Sequence, residues 1–215
     1  MKSKILVTGF EPFGGEATNP SMEIAKALDG EGGDNYCIRS AILPVERFQA
    51  IKAAVQLINE VRPDIVIALG VAVGRKDITP EKVAINFDDY RIADNGGNQP
   101  VGEPIVASGE TAYFSTLPIN AMCQAMAEAG APSSISFSAG TFVCNHVMYG
   151  ILEHIEREKL PIRAGFIHVP QASEFCSNQD TPSQSLATMV EALKRSIMVA
   201  VNSEHDIKQV GGNTH

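Results

Sequence analysis

The sequence has no tryptophan, only 6% aromatic residues, and fewer bases than acids: 17 Lys and Arg against 25 Asp and Glu, a formal net charge of −8. No Lys/Arg cluster runs against that average. The phosphate-neutralising surface that nucleic-acid binding needs is therefore missing, and no nucleic-acid partner is expected. Long apolar runs are missing too. The start, MKSKILVTGF, holds one short aliphatic run before Thr8 and Gly9, too short for a secretion-signal core or a membrane span. No membrane partner is expected, and the default address is the cytoplasm. Cys37, Cys123, Cys144 and Cys176 lie far apart, with no CxxC and no ligand spacing to histidine. That argues against a zinc site and a disulfide framework and predicts reduced thiols.

Repeats, low-complexity tracts and linkers are also absent. The 215 residues, 44% hydrophobic and 20% charged, suffice for one α/β domain with a substantial core. We read that domain as 1–208, with the tail QVGGNTH (209–215) expected to fray. Short apolar runs alternate with segments of helical period. KILVTGF (4–10), YCIRSAILPV (36–45), DIVIALG (64–70), SSISFSAG (133–140) and AGFIHVP (164–170) read as strands. Segments 21–28, 117–130 and 183–202 read as helices, as do the stretch carrying Phe48, Ile51, Val55 and Ile58 and the stretch after Cys144. Strand–helix alternation implies a mostly parallel sheet covered on both faces, with ligands at the carboxyl ends of its strands. The segment from Thr79 to about Ser108 breaks the rhythm with acids, Asn, Gly and Pro, and such long polar excursions often carry function.

The stretch SAGTFVCNHVMYG (138–150) places Cys144 between a short apolar run and a helix. At a helix start, unpaired N–H groups and the macrodipole favour an anion, lower a thiol's pKa and can hold an oxyanion. Cysteine is equally a common packing residue. A thiolate needs a base, and His146 is a poor one, because two residues along a helix turn it about 200° away. His168 is the better candidate, ending its strand beside the one that delivers Cys144. His154 reads as a solvated helix face; His205 and His215 lie near the terminus. A third group should orient the imidazole. Glu81, Asp88, Asp89 and Asp94 all lie in the irregular segment, and spacing does not choose among them. They could also be solvated loop charges with Arg75 and Arg91 as surface partners. The loop TGFEPFGG (8–15) matches neither GxGxxG nor the P-loop; its two phenylalanines suggest a small apolar pocket suited to an uncharged ring, or a tight turn packed into the core.

Four stretches together, TGFEPFGG…NPS (8–21), PEKVAINFDDYRIADNGGNQP (80–100), GTFVCNHVMYG (140–150) and FIHVP (166–170), resemble the pyrrolidone-carboxylate peptidases, the pyroglutamyl-peptidase I family of cysteine peptidases. The resemblance runs through nearly the whole chain. It implies a phosphorylase/hydrolase-like α/β/α three-layer sandwich with a mostly parallel mixed sheet. It implies an exopeptidase that removes N-terminal pyroglutamyl residues from peptides, with Cys144 as nucleophile, His168 as base and Glu81 orienting it. Phe10, Phe13 and Phe142 would bind the lactam, Asn19 would fix polar groups, Arg91 would support the site, and His146 would have no catalytic part. No metal or organic cofactor is implied, and the assembly would be a homotetramer. Val71, Tyr90, Ala93 and Gln171 depart from the family pattern, and Val71 removes a polar side chain near the pocket. Two other readings are a phosphorylase-like enzyme that receives phosphate in the 8–15 loop, and a lactam-binding domain without turnover.

Overall fold

The computed structural model describes residues 2–178 and 180–212. Its elements follow in the order β1 (Ser3–Phe10), α1 (Pro20–Leu28), β2 (Tyr36–Leu43), α2 (Gln49–Val61), β3 (Ile65–Val71), β4 (Thr79–Pro80), β5 (Val83–Ile85), β6 (Ala112–Phe114), α3 (Ile119–Glu128), α4 (Val143–Arg157), β7 (Arg163–Val169), β8 (Gln171–Ala172), β9 (Ser183–Gln184) and α5 (Leu186–Asn202). The central sheet runs β2-β1-β3-β7-β4. Its first four strands are parallel, and the two-residue β4 pairs antiparallel with β7. Short pairs β5–β6 and β8–β9 stand apart from it.

The period of two along each strand divides the core. Ile5 and Val7, Ile65, Ile67 and Leu69, and Ile167 and Val169 face one side, where α1, α3 and α5 cover them. Leu6 and Phe10, Val66 and Ala68, and Ala164 and Phe166 face the other, under α2 and α4. The result is a three-layer α/β/α sandwich. His168 follows Ala164 and Phe166 at intervals of two, so its side chain emerges on the α2/α4 side, where α4 carries Cys144.

Local chemistry fixes the helix starts. Asn19 caps α1, its Oδ1 accepting the Ser21 N–H at 3.0 Å, with Pro20 in the first turn where no N–H is needed. Ser185 caps α5 by accepting from the Thr188 N–H. Helix α4 has no such device: Phe142 occupies the cap position and makes no side-chain cap bond. Its first-turn N–H groups, those of Val143 and Cys144 among them, are left without a side-chain acceptor.

Three expectations need correction. The 133–140 stretch is not a strand; it makes only isolated bridges, Ile78 to Ser133 and Glu81 to Ser136. Its hydrophobic alternation misleads, because Phe137 is half exposed rather than packed. The buried stripe of α2 is Ala50, Ala54 and Ile58, while Phe48 precedes the helix at φ 61° with its ring exposed. His154 is buried on α4, not on a solvated face. Of the tail, 209–212 carries no helix or strand, and 213–215 lies outside the described residues, His215 with it. No helix among the described residues is long and apolar enough to cross a membrane.

Candidate active site

The β4–β7 pairing is only two residues long, yet it assembles the centre of the site. Thr79 lies opposite His168, and the Glu81 N–H donates to the Phe166 carbonyl at 2.9 Å, so Glu81 sits two residues beyond, diagonal to His168. Diagonal neighbours stand about 7–8 Å apart at the backbone, within reach of long side chains. The two side chains meet: His168 Nδ1 lies 2.6 Å from Glu81 Oε1, both groups buried. A carboxylate can only accept, so Nδ1 carries the hydrogen and Nε2 is left as the basic nitrogen.

Glu81 is fully buried, and a cation shares the oxygen that meets His168. Arg75 Nη1 donates to Glu81 Oε1 and to Thr79 Oγ1, both at 2.7 Å, and its Nη2 reaches the Ser138 carbonyl at 3.2 Å. Arg75 was not singled out for the site by sequence. Six residues from Glu81 in an irregular loop, it carried no periodic signal. Arg91, which the resemblance implied would support the site, is not brought into this cluster. It is exposed, and among the described residues its one hydrogen bond is the acceptance of Gln99 Nε2 by its carbonyl.

Cys144 is the second residue of α4. A β-carbon added at Gly70 would lie 2.9 Å from its sulfur, so the thiol rests against β3 at the position paired with His168. Glycine at 70 makes room for the sulfur. Cys144 also lines an apolar pocket, together with Phe10, Phe13, Asn19, Val45, Val71, Phe142 and Val143. Phe13 packs on Phe142 at 5.9 Å between ring centroids. The three phenylalanines expected to hold the lactam and the Asn19 expected to fix its polar groups therefore line one pocket with Cys144, and Arg91, expected to support the site, does not. The Asn19 Oδ1 accepts from both the N–H and the hydroxyl of Ser21, and its Nδ2 donates to the Glu11 carbonyl at 3.1 Å. One N–H of Asn19 remains for a ligand.

The expected lowering of the Cys144 pKa is not found. Burial pushes its thiol up to about 12, the Glu81 charge adds to the rise, and Arg75 and the residue's own N–H oppose both without prevailing. Desolvation of a thiolate outweighs the helix start here. Among the described residues no hydrogen bond joins the thiol to His168.

The other acidic candidates have separate duties, and two of them are not solvated loop charges. Asp88 and His146 are both fully buried. His146 Nε2 accepts the Phe48 N–H at 2.9 Å, so its Nδ1 donates to Asp88 Oδ2 at 2.8 Å, which also takes Arg47 Nε at 2.9 Å. This second His–carboxylate pair lies beneath the first turn of α4 and locks Phe48. Asp94 turns the following loop by accepting from the N–H groups of Arg47, Gly96 and Asn98. Asp89 is exposed, although its backbone ties to Thr141 just before α4. Asn145 was also missed by sequence. Buried one residue after Cys144, it grips β5 through Ile85 N–H and the carbonyls of Ile85 and Phe87. Of the departures from the family pattern, Val71 lines the pocket, Tyr90 is buried with its ring 4.6 Å from Phe142, Ala93 is exposed, and Gln171 lies in β8. No group of three or more His, Cys, Asp or Glu among the described residues is arranged to hold a metal ion.

Comparison with known proteins points the same way. The chain is 49% identical over 209 residues to the pyrrolidone-carboxylate peptidase of Vibrio vulnificus (strain CMCP6), covering 97% of this chain and 98% of that protein. Identity to the Bacillus anthracis pyrrolidone-carboxylate peptidase is 45% over 212 residues, 98% and 99% of the two chains. The crystal structure of pyroglutamyl peptidase I from Bacillus amyloliquefaciens superposes with a TM-score of 0.95 at 43% identity, covering 98% of this chain and 100% of that one. The pyrrolidone carboxyl peptidase from Thermococcus litoralis gives 0.93 at 37%, covering 97% and 99%. The family model described as pyroglutamyl peptidase matches residues 3–203, and the chain belongs to that family of cysteine peptidases.

Proposed function

We propose that the protein removes N-terminal pyroglutamyl residues from peptides through an acyl-enzyme on Cys144, with His168 as the base and Glu81 orienting it. The observation that carries this reading is the position of Cys144, which lines the aromatic pocket with its sulfur beside the strand position paired with His168. Desolvation disfavours a preformed thiolate, so the attack is concerted with deprotonation of the thiol. His168 Nε2 takes the proton as sulfur bonds to the pyroglutamyl carbonyl carbon, and the imidazolium is held by Glu81. The uncapped N–H groups at the start of α4 face the developing oxyanion. His168 then protonates the departing amine nitrogen as the C–N bond breaks, leaving a thioester. Water, deprotonated by the same nitrogen, attacks the thioester and releases pyroglutamate with the thiol restored. Arg75 offsets the charge of buried Glu81 and holds it toward His168.

Selection follows from the pocket. Its lining has no charged side chain, so a charged α-amine of N-terminal Gln or Glu would be desolvated without a partner. The same lining argues against a phosphate site, since no Lys or Arg faces it. The test compares pyroglutamyl-, prolyl- and glutaminyl-arylamides with and without iodoacetamide. Only the first should be cleaved, prolyl falling roughly 10⁴-fold lower in kcat/KM because it lacks the lactam carbonyl and carries a charged amine. Comparable prolyl cleavage would refute lactam recognition, and activity that survives full alkylation of Cys144 would refute the nucleophile. The reading extends to one catalytic domain over 1–208, a cytoplasmic setting and a homotetramer, the last of which sedimentation would test.

A further inference from the structure

A second depression opens beside the ring pocket and shares Phe13, Asn19 and Val71 with it. Its outer wall carries Val73, Ile92, Gln171 and Glu16. Val73 is 67% and Ile92 39% exposed, two aliphatic side chains turned to solvent over one hollow. Its place in the sheet gives it a direction. Gly70 and His168 are paired across β3 and β7, with the Cys144 sulfur against Gly70, and the next pair is Val71 with Val169. Val71 thus ends β3, and Val73 and Gln171 lie just past the carboxyl ends of the two strands that present the sulfur's resting place and His168.

We infer that this depression is the subsite for the residue following pyroglutamate, and that it takes an apolar side chain. The inference rests on the peptidase reading. With the lactam in the first pocket and its carbonyl carbon at the sulfur, the departing nitrogen must face His168 to be protonated. The chain attached to that nitrogen then runs past Gly70 and His168 into the hollow between Val73, Ile92 and Gln171. Glu16 is the only ionisable group on the wall among the described residues, so an acidic side chain there meets a like charge while an aliphatic one covers Val73 and Ile92.

Dipeptide amides give the test: pyroglutamyl-Gly-, -Leu- and -Glu-amide, assayed on the full chain and on Val73→Asp, Ile92→Asp and Glu16→Gln. The wild-type protein should prefer Leu to Gly by about tenfold in kcat/KM, the scale of a few apolar carbons in a pocket, and should disfavour Glu. Val73→Asp and Ile92→Asp should bring the Leu-to-Gly ratio toward one, and Glu16→Gln should selectively raise cleavage of the Glu compound. Unchanged ratios in both aspartate variants would overturn the subsite. So would a shift in self-association by light scattering with ratios intact, which would make Val73 and Ile92 a contact between copies of the chain. Failure of the wild-type protein to cleave even pyroglutamyl-Gly-amide would overturn the peptidase reading and the subsite with it, an outcome distinct from the other two.

Discussion

Gly70→Ala isolates the placement of the thiol. Gly70 is not among the glycines with positive φ, so alanine carries no backbone strain and the whole effect is contact. The new methyl would lie 2.7 Å from Phe166 Cζ, 2.9 Å from Cys144 Sγ and 3.0 Å from Phe166 Cε1. Ordinary carbon contacts begin near 3.5 Å, so something must move by roughly 0.5–1 Å. Phe166 is 1% exposed, with the rings of Phe10 and His168 packed 6.3 and 4.9 Å away. Cys144 lines the ring pocket, so its sulfur is expected to be the group that yields. Overpacking of this kind costs about 1–3 kcal/mol, which for a chain of this size lowers Tm by roughly 2–12 °C.

A displacement of about 1 Å in a reacting atom costs on the order of 10²-fold in rate. Steady-state kinetics on a pyroglutamyl-arylamide should therefore show kcat falling about 10²-fold while KM, set by the ring pocket, changes far less. Gly165→Ala is the control. It sits on the neighbouring strand, where its methyl would meet Ser115 and Leu117, away from the sulfur. It should lower Tm by calorimetry without a selective loss in kcat. If Gly70→Ala retained kcat within threefold, or if both variants lost kcat in proportion to Tm, the reasoning that Gly70 makes room for the nucleophile would be refuted.

Glu81→Gln should lower kcat by up to about 10⁴-fold with a smaller effect on KM, less than the loss on replacing Cys144 or His168, while Asp94→Asn does much less; the reverse order would unseat Glu81. Cys144→Ser and Cys144→Ala should keep the wild-type circular dichroism and lose turnover, because neither supplies a thiolate; activity in both would reassign the nucleophile. With the thiol raised to about 12, alkylation of resting Cys144 by iodoacetamide should climb about tenfold per pH unit between pH 7 and pH 10 without levelling, and a plateau below pH 8 would show a preformed thiolate. Burial raises the Asp94 carboxyl, but the N–H groups of Arg47, Asn98 and Gly96 and the Asn98 side chain bring it below its ordinary value. A depressed folded pKa stabilises above the unfolded value near 3.9 and is lost as pH falls through it, so the stability gap between wild type and Asp94→Asn in urea titrations should narrow from pH 6 to pH 3.

How much of this could be read from sequence depends on how far each signal is local. Apolar runs such as DIVIALG and the 3.6-residue stripes of α1, α4 and α5 report burial one element at a time, so the layers and the place of Cys144 at a helix start were legible. SSISFSAG has the alternation of a strand, but only bridges meet it, and alternation says nothing about whether a neighbour exists to pair with. The His168–Glu81 contact depends on a two-residue antiparallel pairing between segments 87 positions apart, too short to leave a pattern, and spacing alone therefore left four acids open. Arg75 depends on the same pairing and was read as a surface partner. The thiol is the sharpest case. A helix start favours thiolate and is visible in sequence; desolvation by burial, with the Glu81 charge adding to it, is a property of packing and raises the thiol instead. Under the proposed mechanism, a thiol that burial holds protonated gives up its proton to His168 only at the moment of attack, with Glu81 holding the imidazolium.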